Sequence, residues 1–267
     1  MNMKFVSKED GQVLIKGTNP TEMNTFRRII INKVPTMAIK TVEFTENSSA
    51  IYDEMLAHRL GLTTLKTDLK SYNLQKECKC KGEGCAQCTL LLSLEAEGPG
   101  TVYADQIKSQ DPKVIPVFGK TPLVKLIGNQ KVKLEATAVL GEGKEHMKFS
   151  PGLVFYKGNP EIKIDSVKNA KAIAESCPKQ LYKVDGQKLK MVDNTKCILC
   201  KQCEDLSDGA IEVNGSDKDF ILTIEPFGQL TPKEMITKAS EIIVSQLKEL
   251  TSEIKKLKWK QIYKKEN

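Results

Sequence analysis

The spacing of apolar and polar positions changes several times along the 267-residue chain, and each change marks an element. Residues 3–7 and 12–16 are short β-prone runs, with Asp10 and Gly11 between them able to supply the positive φ angles of a tight turn. After Asn19 and Pro20 the period becomes helical: Met23, Phe26, Ile29, Ile30 and Val34 recur at three- and four-residue steps, interrupted by Arg27 and Arg28. Residues 37–44 then read as a strand and 52–60 as a short helix. Strand signals dominate from 90 to 140. The clearest sets Val132, Leu134, Ala136, Ala138 and Leu140 against Lys131, Lys133, Glu135, Thr137 and Val139, which predicts a half-exposed sheet.

The last segment carries the strongest helical pattern. Thr231, Pro232 and Glu234 form a start signal: a capping hydroxyl, a proline in the first turn and an acid three residues after the cap. Ile236, Ile243, Leu250 and Leu257 repeat every seven residues, with Leu247 and Ile254 set three before Leu250 and Leu257. A helix of about thirty residues, roughly 45–50 Å long, cannot bury such a seam against a small domain of its own. A partner chain is therefore expected to cover it. The alternative is a long helix lying across its own sheet.

Composition adds compartment and chemistry. The chain is 40% hydrophobic and 28% charged, with a formal net charge of +7 that is too small and dispersed to require a polyanion. No run approaches the roughly 18 apolar residues of a membrane helix, and residues 1–5 lack a signal peptide's apolar core. The chain is expected in the cytosol, where clustered cysteines are read first as metal ligands. All eight fall into two groups: Cys78, Cys80, Cys85 and Cys88, then Cys177, Cys197, Cys200 and Cys203.

The second group matches half of a duplicated ferredoxin pattern, in which C-x2-C-x2-C-x3-C-P occurs twice and each cluster takes its fourth cysteine from the other run. Cys177 and Pro178 end a first run whose three earlier positions are Val167, Ala170 and Ile173. The second run keeps Cys197, Cys200 and Cys203, but Ser207 stands fourth. One ligand set is intact and the other holds no cysteine. The expectation is one iron–sulfur cluster, four-iron with a three-iron form as alternative, serving as a staple rather than an electron carrier. A four-cysteine zinc site competes with it, although zinc sites usually pair two C-x2-C knuckles. In the first group, Gly82 and Gly84 permit the tight turn that a zinc knuckle at Cys78, Cys80, Cys85 and Cys88 requires. Reduced thiols on a loop, or a disulfide formed on oxidation, are the alternatives.

Nothing reads as catalytic. His58 and His146 lack a matching nucleophile, and a packed or hydrogen-bonded role is expected for His58. No glycine-rich phosphate loop or acidic metal triad occurs. Lys255, Lys256, Lys258, Lys260, Lys264 and Lys265 are read as a solvated basic helix end rather than a nucleic-acid site.

Several segments together resemble the archaeal D-type assembly subunits of DNA-directed RNA polymerase, relatives of the bacterial alpha subunit's N-terminal domain and its eukaryotic counterparts. They are residues 24–31 (NTFRRIII), 34–39 (VPTMAI), 52–62 (YDEMLAHRLGL), 128–134 (GNQKVKL) and 141–146 (GEGKEH). With the cysteine module and terminal helix they span the chain almost end to end, in family order. The resemblance implies an α+β fold. Its dimerisation domain is discontinuous, built from 1–44 and 223–267 with part of 147–161. A β-rich domain is inserted at 45–146 and a ferredoxin-like iron–sulfur module at 162–222. It also implies a non-catalytic assembly platform of DNA-directed RNA polymerase, forming a heterodimer with an L-like polymerase subunit. Phe26, Ile30, Val34, Ile236, Ile243, Leu247, Leu250, Ile254 and Leu257 would face that partner. Large catalytic subunits and small assembly subunits would be its other contacts, with DNA reached only through the complex. The cysteine pattern departs from two-cluster members at Val167, Ala170, Ile173 and Ser207. An electron-transfer or oxidoreductase subunit is the main alternative function, and a free-standing nucleic-acid-binding protein a third.

Overall fold

The structure, a computed structural model, describes residues 2–7, 11–186 and 188–256. Its first half runs β1 (Asn2–Ser7), β2 (Gln12–Lys16), α1 (Pro20–Lys33), β3 (Thr36–Asn47), α2 (Asp53–Leu62), β4 (Leu90–Glu97), β5 (Gly100–Tyr103), β6 (Lys108–Ser109), β7 (Pro122–Leu126) and β8 (Lys131–Gly141). The second half runs β9 (Gly152–Ile164), α3 (Ala170–Ser176), β10 (Tyr182–Asp185), β11 (Lys188–Met191), α4 (Gln202–Asp205), β12 (Ile211–Pro226) and α5 (Pro232–Lys256). The chain forms two compact units. One takes the chain up to Arg27 with Val154–Ile224; the other takes Arg28–Leu153 with the chain from Glu225 onward.

The first unit contains a sheet in the order β1-β2-β12-β9 and a separate β10-β11 hairpin. Strand β2 is the hinge of the pairing: Val13 lies opposite Phe5 and Leu222, and Ile15 opposite Met3 and Phe220. Val13 and Ile15 are buried, as period-2 alternation on a one-sided sheet requires. Gly11 has φ +60°, the geometry expected of the turn; Asp10 lies outside the described residues. Helix α1 starts where its sequence asks it to. The Asn19 side chain accepts from the Glu22 backbone N–H at 2.9 Å, and the Thr18 hydroxyl donates to the Glu22 carboxylate at 2.6 Å.

The second unit is built on a sheet ordered β3-β8-β4-β6, with β5 and β7 forming a second pair. Met37 and Ile39 face Leu140 and Ala138 across β3–β8, and Leu92 and Leu94 face Ala136 and Leu134 across β4–β8. Leu56 and Leu60 of α2 share one apolar core with Leu65, Leu123, Leu126 and these strand residues. The predicted alternation holds along β8 through Ala136, but Val139 is buried rather than exposed. It packs with Ala38 and Phe149 in a second small cluster, so the end of the strand is covered on both faces.

The GEGKEH segment follows from that crowding. A Cβ at Gly141 would lie 2.7 Å from the Phe149 ring, and one at Gly143 would collide with the Ile31 carbonyl. Between these glycines Glu142, nearly buried, accepts from Lys76 at 2.8 Å and from Lys33 at 3.4 Å. Helix α5 opens with a reciprocal capping box: the Glu234 carboxylate accepts from the Thr231 backbone N–H at 2.9 Å, while the Thr231 hydroxyl accepts from the Glu234 N–H at 3.3 Å. Its first turns bury Met235 and Ala239.

Two outcomes follow from this packing. Leu94→Ala removes a core side chain and is expected to destabilise the protein by about 3 kcal/mol, read as a shift in the urea midpoint without a change in slope. The Asp68 carboxyl is lowered from 3.8 to about 2, chiefly because the Lys70 backbone N–H donates to it, helped by the Ser71 hydroxyl and Lys113. A depressed carboxyl stabilises the fold above its unfolded value and loses that contribution as pH falls through the folded one. Wild type should therefore exceed Asp68→Asn in stability at pH 5, with the margin closing between about pH 4 and 2; denaturation at a series of pH values measures it.

Candidate metal centres

The first cysteine group sits on the loop that follows the single helical turn Gln75–Glu77, between α2 and β4. Gly82 (φ +92°) and Gly84 (φ +97°) occupy left-handed backbone, so the loop folds back on itself as only glycine does without strain. Tetrahedral zinc with Zn–S bonds near 2.3 Å needs sulfurs ~3.8 Å apart. Here Cys78 and Cys85 sulfurs are 3.5 Å apart, Cys80 and Cys88 3.5 Å, and Cys85 and Cys88 3.8 Å. All four sulfurs lie within 4.8 Å of one another, so together they could hold a metal ion. Cys78 and Cys88 are buried while Cys80 and Cys85 are half-buried.

The electrostatics of the knuckle are uneven. Backbone N–H groups of Gly84 and then Gly82 donate to Cys80 and pull its thiol down to about 6, whereas burial pushes Cys88 up to about 12. A bound cation deprotonates such thiols together. The Glu142–Lys76 pair anchors the turn that leads into Cys78.

The second group is arranged differently. Cys177, Cys197, Cys200 and Cys203 line one pocket with Pro178, Leu181, Tyr182 and Ile198. Cys197 and Cys203 are buried, Cys177 is half-buried and Cys200 exposed. Among the described residues, only the first group brings its sulfurs within single-ion range of one another. The loop carrying Cys197, Cys200 and Cys203 takes left-handed backbone at Leu199 (φ 57°) and Lys201 (φ 61°), neither of them glycine. Strained conformations of this kind concentrate where a site must be shaped. Here the strain turns the Leu199 N–H onto the Cys197 sulfur at 3.4 Å.

Two polar side chains bond to cysteine residues of this group. The Tyr182 hydroxyl donates to the Cys203 sulfur at 3.1 Å. Burial, followed by that hydrogen bond, raises the phenol well above its ordinary value. Lys157 of β9 donates to the Thr195 and Cys197 carbonyls, each at 2.6 Å, and burial lowers its ammonium. Neither residue was signalled by the cysteine spacing, because their roles depend on strand positions and not on local sequence.

The positions that would have held a second cluster are filled. Val167, Ala170 and Ile173 are buried in one apolar core with Leu181, Ile211 and Val213. Ser207 donates to the Glu204 carbonyl at 2.8 Å and accepts from the Ile211 N–H at 2.9 Å, so its hydroxyl is satisfied within the fold.

The residues expected at a partner interface divide in two. Phe26, Ile30 and Val34 are already buried within the chain, at 3%, 0% and 0% exposure. Ile236 and Ile243 are half-buried, whereas Leu247, Leu250 and Ile254 are exposed at 56%, 55% and 43%. Val244, which the heptad count passed over, is 50% exposed beside them. Leu257 lies outside the described residues, as do Lys258, Lys260, Lys264 and Lys265. His58 is exposed rather than packed, because its face of α2 points away from Leu56 and Leu60. His146 caps the turn at 147–149, its Nδ1 accepting from the Lys148 N–H at 3.1 Å. No helix among the described residues is long and apolar enough to cross a membrane.

Comparison with known proteins places these features in a family. Residues 38–167 match the family model described as the RNA polymerase Rpb3/RpoA insert domain. DNA-directed RNA polymerase subunit Rpo3 of Methanosarcina acetivorans is 37% identical over 250 residues, covering 92% of this chain and 94% of its own length. The Rpo3 subunit of Archaeoglobus fulgidus is 37% identical over 247 residues, covering 91% and 93%, and that of Pyrococcus furiosus 34% over 254, covering 94% and 95%. Similarity of this depth across nearly the whole of both chains shows that the protein belongs to the DNA-directed RNA polymerase subunit Rpo3 family, the archaeal D-type assembly subunits.

Proposed function

We propose that this chain is the non-catalytic assembly platform of a DNA-directed RNA polymerase, pairing with an L-like polymerase subunit and supporting the large catalytic subunits. The observation that carries the pairing is the stripe of Val244, Leu247, Leu250 and Ile254 left exposed on α5. Aligned aliphatic side chains at three- and four-residue steps on a long helix suit a coiled-coil-like seam with another apolar surface. Met235 and Ala239 anchor the start of the helix within the chain, so its free half projects a prepared surface. Phe26, Ile30 and Val34 act from inside, holding α1 in place. Residues 1–44 and 223–267 then serve the dimerisation domain, 45–146 the inserted β-rich domain and 162–222 a ferredoxin-like module. The chain takes part in nucleotidyl transfer only as a component of the complex, whose chemistry resides in other subunits.

The cysteines serve this scaffold. Cys78, Cys80, Cys85 and Cys88 hold zinc, a reading supported by their sulfur separations. Cys177, Cys197, Cys200 and Cys203 fit one four-iron cluster, supported by four thiols that line one pocket and by the ferredoxin-like spacing of Cys197, Cys200 and Cys203. When bound, such a cluster supplies metal–thiolate bonds that tie two distant stretches of chain together. Lys157 orients the loop that carries Cys197, and Val167, Ala170 and Ile173 close the vestigial half with apolar packing.

Co-expressed with an L-like polymerase subunit, the protein should elute as a stable one-to-one complex by light scattering. Leu247→Asp with Leu250→Asp should abolish that complex while leaving the circular dichroism of the chain intact; persistence of the complex would refute the α5 seam. Metal analysis after anaerobic purification should separate the two centres. Cys200→Ser should lose iron and acid-labile sulfide but keep zinc. Cys85→Ser should keep iron and weaken zinc at least 100-fold, about 3 kcal/mol, in competition with a chromophoric chelator.

A further inference from the structure

The cluster reading leaves one group unexplained: a tyrosine hydroxyl aimed at a ligand sulfur. Tyr182 opens β10, with its ring buried among Val167, Ile173 and Leu189, and its hydroxyl reaches Cys203 Sγ at 3.1 Å. Both residues are buried, at 8% and 7% exposure, so water does not compete for the bond. Among the described residues it is the one side-chain donor on any of the four sulfurs. The other N–H near them is the Leu199 backbone on Cys197 at 3.4 Å, and Lys157 is committed to two carbonyls. A buried tyrosine hydroxyl generally finds a partner. Satisfying the phenol alone is the simplest account of this contact, and any test must distinguish that account from a role toward the metal.

We propose that Tyr182 is a positioning residue for the iron–sulfur centre, its hydroxyl orienting the Cys203 thiolate and raising the reduction potential and chemical resistance of the cluster that Cys203 ligates. The inference rests on the iron–sulfur reading above. Hydrogen bonds to charged acceptors are stronger than those between neutral groups, and a metal-bound thiolate carries charge where a free thiol does not. Donation withdraws charge from the sulfur and favours the more negative, reduced cluster; hydrogen bonds to cluster sulfurs are among the established determinants of potential. The phenol proton stays on its oxygen throughout. The electron comes from the reductant added in the titration. A Cys203 sulfur held by Tyr182 is also less free to swing away, which slows loss of iron.

The test uses the full chain purified anaerobically, with iron and sulfide measured first. Wild type, Tyr182→Phe, 3-fluorotyrosine at position 182, and the control Tyr156→Phe are titrated with dithionite and followed by electron paramagnetic resonance. Tyr156 is a fair control because its hydroxyl meets the Pro20 carbonyl at 3.3 Å and no sulfur. Tyr182→Phe should lower the potential and bleach several-fold faster with an iron chelator. Fluorotyrosine, a stronger donor in nearly the same volume, should raise the potential, and Tyr156→Phe should leave it unmoved. Should Tyr182→Phe fail to fold, the fluorinated variant decides alone, since it keeps both ring and hydroxyl. Potentials and bleaching rates that match wild type in the Tyr182 variants would overturn the proposal while leaving the cluster reading intact. Wild-type protein without iron and sulfide would overturn both.

Discussion

The distance between sulfur atoms is the constraint on which both cysteine sites depend. Four thiolates bound to one ion must come within van der Waals contact of each other, which a chain accepts only when the charge at the centre outweighs their repulsion. The knuckle at Cys78–Cys88 has that spacing, helped by glycines at φ angles that other residues resist. Cys177, Cys197, Cys200 and Cys203 share a pocket without that crowding. The same residue type, used four times in each of two places, is thereby arranged differently: one group gathers within reach of a single ion, and the other lines a shared pocket. Spacing in sequence suggests this difference, and spacing in space sharpens it.

The exposed stripe on α5 applies a constraint of another kind. Val244, Leu247, Leu250 and Ile254 leave apolar surface in water on a helix whose N-terminal capping box and buried Met235 and Ala239 fix its start. Burial of apolar surface is the main favourable term in association, and aligned aliphatic residues at coiled-coil spacing supply it in a form that selects another helix or groove. One end of the helix is bound into its own domain, and the other leaves its apolar face uncovered. Membership of the Rpo3 family makes the chain a subunit of a larger complex, and this geometry leaves it an apolar helix face in water.

Much of this was legible in the sequence, for reasons that can be traced to residues. Thr231, Pro232 and Glu234 announced the start of α5 because capping is a local transaction among neighbours, and the capping hydrogen bonds are present. The alternation of β8 held while only one face was covered and failed at Val139, where Ala38 and Phe149 arrive from elsewhere in the chain. Phe26, Ile30 and Val34 shared the spacing of an interface face, but periodicity marks only that a face is apolar and cannot say whether its own chain or another will cover it. Glu142, Tyr182 and Lys157 were not legible at all. Each acts across tens of residues, Glu142 on Lys76 and Lys33, Tyr182 on Cys203, Lys157 on the carbonyls of Thr195 and Cys197. The left-handed Leu199 and Lys201 were equally silent, since nothing in their identities favours that backbone.

Apolar packing fills one half of the second cysteine module. Val167, Ala170 and Ile173, at positions the duplicated ferredoxin pattern gives to cysteine, are buried with Leu181 and Ile211 in one apolar core. In the intact half Cys197 and Cys203 belong to that same core, while Cys200 is exposed and the loop around it includes two residues in left-handed backbone. The knuckle loop is similar. Between Leu62 and Leu90 the chain forms one helical turn, Gln75–Glu77, one isolated bridge at Leu65 and tight turns, an unusual stretch for a folded domain unless something other than regular secondary structure orders it. The Asp68 hydrogen bonds, the Glu142–Lys76 pair and four convergent thiols are what the loop has instead. Where the apolar core runs out, thiolates and ion pairs take over the task of holding backbone still.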